Sequence, residues 1–134
     1  MKWGLSLEEA ARLHGHLGPW LAIGYRAGSI ARRELEPRDP REVLCIARIP
    51  AEIPYTCSLD GLQASIGCTA GKLNLVLENS SDFEYVFIHR GSGRRIVLKL
   101  RREVIEALKS VKSLEEGARY VEVLEPWELF ELSS

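Results

Sequence analysis

The sequence predicts an α+β domain: two N-terminal helices, a four-stranded sheet, mixed and mostly antiparallel, with helices packed on it, and C-terminal helices. Three observations predict it. Ser6-Leu7-Glu8-Glu9 and Ser113-Leu114-Glu115-Glu116 are capping boxes, which mark helix starts near both ends of the chain. Residues 83–89 and 94–100 alternate apolar and polar side chains on either side of the turn Arg90-Gly91-Ser92-Gly93. Read from the N-terminus, the segments run α-α-β-α-β-β-β-α-α, with no linker, repeat or low-complexity stretch between them. At 134 residues the chain is the size of one domain.

The first helix is expected over 7–14, stopping at Gly15, which accepts a left-handed C-cap conformation. Pro19 suits the first turn of a second helix, 19–36. That helix shows Leu21, Gly24, Ala27, Gly28 and Ala31 along one side. Small residues at this spacing let another backbone come close, so the helix should be central and buried on that face. Residues 43–49 (VLCIARI) form a largely apolar run ended by Pro50, as expected of a buried strand. A loop containing Pro54 leads to a short helix over 58–66, with Ser58 as its N-cap. A glycine-rich loop, 67–71, precedes a short strand at 73–77. In the hairpin, Phe83, Tyr85 and Phe87 share one face, and Ile96, Leu98 and Leu100 alternate opposite them. A helix over 102–111 and one starting at Ser113 follow, and Trp127, Leu129 and Phe130 offer a last apolar clasp.

Composition narrows the function. A net charge of −1 gives no electrostatic basis for nucleic acid or an anionic membrane as partner. The basic cluster Arg90, Arg94, Arg95, Lys99, Arg101 and Arg102 reads as a solvated hairpin tip and helix start. No apolar run approaches the length of a membrane span, and the acidic N-terminus does not match a signal peptide. Three cysteines, an odd number, argue against a disulfide framework and for reduced thiols in the cytoplasm.

The chemistry-bearing residues lie at two helix junctions, expected to meet in space. Cys57 should sit at a helix N-terminus, which favours the thiolate that attacks electrophiles and binds soft metals. Cys68 sits in the glycine-rich loop, where it is expected to be exposed enough to serve as a ligand or a redox partner. Cys45, in mid-strand, reads as a small buried hydrophobe. His14 and His16 flank Gly15. On a continuous helix their side chains would diverge by about 200°, so a shared site requires the backbone to leave the helix at that glycine. One or both are candidate ligands; His89, beside the hairpin turn, reads as surface. Imidazole and thiolate together suit zinc or another borderline-soft divalent ion such as nickel or iron. Asp60 and Gln63, three residues apart, share a helix face, where either can orient a histidine or hold a substrate. Thr69 and Lys72 can meet an anion, although a plain turn is the simpler reading. The resulting set is Cys57, His16 and Asp60 for chemistry, Gln63, Thr69 and His14 around a substrate, and His14, His16, Cys57 and Cys68 for a metal. The segment GCTAGK lacks the spacing of a phosphate loop.

His14-Gly15-His16-Leu17-Gly18-Pro19, AIGYRAG at 22–28 and CSLDGLQASIGCTAGKLN at 57–74 resemble the E-subunit family of formylmethanofuran dehydrogenase. The similarity extends over about residues 10–100. The resemblance implies an α+β core that pairs as a homodimer, with a metal or active site where the histidines and the two cysteines of the 57–74 motif converge. It also implies association with a larger molybdenum or tungsten oxidoreductase. Many relatives carry a cysteine where this chain has Gly18, and many append a zinc ribbon with CxxC pairs, which this chain is expected to lack. Three functions remain open: a metal-binding accessory or catalytic domain, a metal-free thiol site in which Cys57 attacks and Cys68 resolves, and a structural docking role.

Overall fold

The computed structural model describes residues 2–134. Helix α1 is Leu7–His14, opened by the expected capping box: Ser6 Oγ accepts from the Glu9 amide, and Glu9 Oε1 accepts from the Ser6 amide. Helix α2 spans Pro19–Leu35 and is the central element. After a short 3₁₀ turn, Pro40–Glu42, strand β1 covers Val43–Ile49, helix α3 Cys57–Ser65 and strand β2 Leu75–Asn79. The hairpin β3–β4 is Glu84–His89 and Arg95–Leu100. Helices α4, α5 and α6 (Arg102–Leu108, Leu114–Val123, Pro126–Leu129) lead to strand β5, Phe130–Ser133.

The strands form one mixed sheet in the order β2-β1-β3-β4-β5, with only the β1–β2 pair parallel. It has five strands where four were expected. The extra strand, β5, pairs Leu100 with Phe130 and Leu98 with Leu132. This segment reads locally as an apolar clasp; the open edge of β4 is what draws it into a strand. In β1 the side chains alternate fully buried and half-buried, and Cys45 and Ala47 stand opposite Phe87 and Tyr85. This face, completed by Ile96, Leu98 and Leu100, packs beneath α2 as the core.

The small-residue face of α2 has a definite partner. A Cβ placed on Gly24 would lie 1.9 Å from the Ser58 carbonyl oxygen, and one on Gly61 would lie 2.3 Å from that of Leu21. Helices α2 and α3 therefore touch backbone to backbone, as the spacing of Gly24 and Gly28 predicts. The start of α3 differs from the expectation by one residue: Cys57 is its first residue and Thr56 its cap position. Ser58 does not cap the helix; its hydroxyl donates to the Tyr55 carbonyl, 2.7 Å away, and is fully buried. Helix α4 ends at Leu108, short of the expected 111, leaving residues 109–113 as a connection. In the second capping box Ser113 accepts from the Glu116 amide, but the Glu116 carboxylate takes the amide of Lys112 instead.

The expectation of three reduced thiols does not hold. Cys45 and Cys68 form a disulfide, with Cα atoms 6.1 Å apart, inside the span such bonds require. Both residues are fully buried, so Cys68 is not the exposed loop thiol expected. The physical reason is Gly67: its φ of +84° ends α3 in a left-handed turn and carries the next residue beneath the sheet. No helix among the described residues is long and apolar enough to cross a membrane.

Candidate functional site

Gly15 has a φ of 113°, so the chain leaves α1 between the two histidines. The turn brings their rings together, with centroids 4.7 Å apart. His14 points across to α3, where its Nδ1 lies 2.6 Å from Asp60 Oδ2. A carboxylate only accepts, so Nδ1 carries a proton, and in the neutral ring the lone pair then lies on Nε2. That Nε2 is buried and has no hydrogen-bond partner. Gln63 donates its amide to the other oxygen of Asp60 (3.1 Å) and accepts from the Ala70 amide (3.4 Å). A chain of contacts thus runs from His14 through Asp60 and Gln63 into the loop after α3, holding the imidazole in one orientation.

Cys57, the free cysteine, opens α3 one turn before Asp60. Burial pushes its thiol above the usual cysteine value, and the negative charge of Asp60 adds to the effect. The helix N-terminus was expected to favour the thiolate; desolvation and a carboxylate on the same face outweigh it.

His16 and Cys57 line a cavity of about 450 Å³ together with Gly18, Pro19, Trp20, Leu21, Pro54, Leu108, Val111, Lys112, Ser113 and Leu114. Pro19 opens α2, Pro54 lies in the loop before α3, and residues 111–113 belong to the α4–α5 connection. Trp20 continues inward into an aromatic group with Tyr55 and Phe83, at centroid distances of 4.9 and 5.5 Å. The wall from Leu108 to Leu114 carries no sequence signal that could have assigned it to the site, because its proximity arises only when α5 packs on α2.

The expected residues therefore separate. His14, His16, Cys57 and Asp60 cluster at the α1–α2 junction and the front of α3, with Gln63 behind Asp60. Cys68 is not with them, being bonded to Cys45. Thr69 is taken up by its own turn: its hydroxyl oxygen accepts from the Lys72 amide and ammonium at 3.2 and 2.9 Å. Asn74, which drew no attention in the sequence, is buried and ties this loop down. Its side chain donates to the carbonyls of Pro40 and Val43 and accepts from the Thr69 amide. His89 is half-buried rather than free at the surface, with its Nε2 3.1 Å from Glu42 Oε1.

Among the described residues, no group of three or more His, Cys, Asp and Glu side chains stands together as a metal cage. The donor chemistry still fits a borderline-soft ion. His14 has its Nδ1 on a carboxylate and its Nε2 unpaired, the arrangement that orients a ligating imidazole; the His16 ring packs on it, and Cys57 lines the same cavity as His16.

The family model described as FmdE, molybdenum formylmethanofuran dehydrogenase operon, matches residues 13–128. A protein of Archaeoglobus fulgidus described as a probable S-adenosyl-L-methionine-binding protein is 26% identical over 110 residues. The match covers 81% of this chain and 30% of that protein, so the chain spans less than a third of its relative's length. With the family match running from the end of α1 to α6 and taking in both helix junctions, the chain belongs to the FmdE family.

Proposed function

We propose that this FmdE-family domain binds a divalent metal ion through His14, His16 and Cys57, as an accessory to, or part of, a redox or one-carbon enzyme of formylmethanofuran dehydrogenase type. The observation that carries the reading is the buried, unpartnered Nε2 of His14, whose ring Asp60 holds from the other side. An unsatisfied buried nitrogen costs about 1–3 kcal/mol, and coordination would remove that cost. Zinc suits the two-nitrogen, one-sulfur set best, with nickel or iron as the alternatives. Such an ion would supply Lewis acidity. The chain's own contribution is separate. Asp60 and Gln63 fix the His14 ring, and mostly apolar side chains line the cavity beside His16 and Cys57.

Cys68 leaves the ligand set, since its sulfur is bonded to Cys45. The same bond removes the resolving partner from the metal-free thiol alternative, and the raised thiol of Cys57 weakens it further. Membership of a family described by a dehydrogenase operon supports a larger molybdenum or tungsten assembly as partner. A homodimer and a cytoplasmic location belong to the same proposal, and light scattering of the purified chain tests the dimer. S-adenosyl-L-methionine binding, the described property of the archaeal relative, is not carried over, because the match takes in 30% of that protein.

The test is metal content by mass spectrometry on protein purified without oxygen, wild type beside His14→Ala and Cys57→Ser. About one ion per chain in the wild type, lost in both variants, is the expected result. No metal in any of the three would overturn the reading and move weight to the docking role.

A further inference from the structure

The cavity beside His16 and Cys57 has a one-sided composition. Pro19, Trp20, Pro54, Leu108, Val111 and Leu114 make its walls apolar. Lys112 is the one lysine or arginine that lines it, and no carboxylate does. Among the described residues Lys112 takes part in no ion pair. The nearby Glu116 carboxylate is engaged by the backbone amide of Lys112, at 2.6 Å, and not by its ammonium. An apolar cavity of about 450 Å³ falls in the range of small-molecule sites, where apolar walls bind the body of a ligand and a few polar groups set its orientation.

We propose that this cavity binds an amphipathic organic acid, with its apolar body against Trp20, Leu108 and Val111 and its carboxylate on Lys112. A neutral ligand would leave the lysine unused, and a cationic one would meet it as a like charge with no carboxylate in the lining to offset it. The carboxylate contact is at the rim, so it sets selectivity among ligands that the apolar walls would otherwise accept alike. The inference rests on the reading that the cavity fronting His16 and Cys57 is the working site, but it does not require a bound metal.

The test is calorimetric titration of chelator-treated, metal-free protein with octanoate and, as its neutral counterpart, octanol. Wild type should bind octanoate about tenfold more tightly than octanol, equivalent to ~1.4 kcal/mol. Lys112→Gln should remove that advantage and leave octanol unchanged. Lys112→Glu should weaken octanoate further and again leave octanol unchanged; Lys112 is exposed and precedes α5, so both variants should fold. Equal binding of the two probes to wild type, or octanoate binding unmoved by either substitution, overturns the proposal. Because the protein is metal-free throughout, a failure here is separate from a failure of the metal count.

Discussion

Asp60 touches both halves of the candidate site: it accepts from His14 and lies one helical turn from Cys57. Its charge disfavours the thiolate, so removing the charge should bring the Cys57 pKa down. In metal-free Asp60→Asn, iodoacetamide should therefore alkylate Cys57 severalfold faster than in wild type at about pH 8, near the ordinary thiol pKa. An unchanged rate would show that burial alone sets the thiol. Gly18 offers a second test at this scale. A Cβ there would stand 3.5 Å from His16 Nε2, with the backbone extended and open to any side chain. Gly18→Cys, which adds a thiol beside His16, should raise zinc affinity by at least about tenfold, read by competition with a chromophoric chelator. Residue types and junctions were legible in the sequence: the glycine break between the histidines and the shared face of Asp60 and Gln63 are both local facts. The partner of Cys68 was not, because it lies 23 residues away on a strand whose register only the sheet determines.

At the scale of elements, the contact between α2 and α3 holds the site together, because it sets Cys57 and Asp60 against the α1–α2 junction. Gly61→Ala places a methyl group 2.3 Å from the Leu21 carbonyl oxygen, and backbone cannot yield as a flexible side chain would. The substitution should destabilise the fold by about 1–3 kcal/mol or more, seen as a lower midpoint in urea. Wild-type stability would mean that the helices separate freely. Helix starts were readable because the capping box at Ser6 and the side-chain cap at Ser113 work within a single turn. The small-residue stripe on α2 announced a close neighbour without naming it. Strand β5 was missed for the converse reason: residues 130–133 have no strong pattern of their own, and the unpaired edge of β4 decides their conformation.

For the molecule as a whole, the Cys45–Cys68 bond ties the middle of the sheet to the end of α3. It closes a loop of 23 residues in sequence separation, which by chain entropy corresponds to ~3 kcal/mol of stability. Reduced protein, or Cys68→Ala, should unfold at a correspondingly lower urea concentration, and identical unfolding curves would show that the bond adds nothing. The α+β class and most strand positions followed from periodicity. The apolar wall formed by the α4–α5 connection depends on how α5 docks onto α2, and no local pattern encodes that. The same disulfide has a consequence for oxidative damage. With the other two sulfurs joined to each other, Cys57 has no thiol in its own chain to condense with once it becomes a sulfenic acid. Rescue must then come from a thiol carried by another molecule, and without one the sulfur proceeds to the sulfinic and sulfonic acids, which ordinary reductants do not restore.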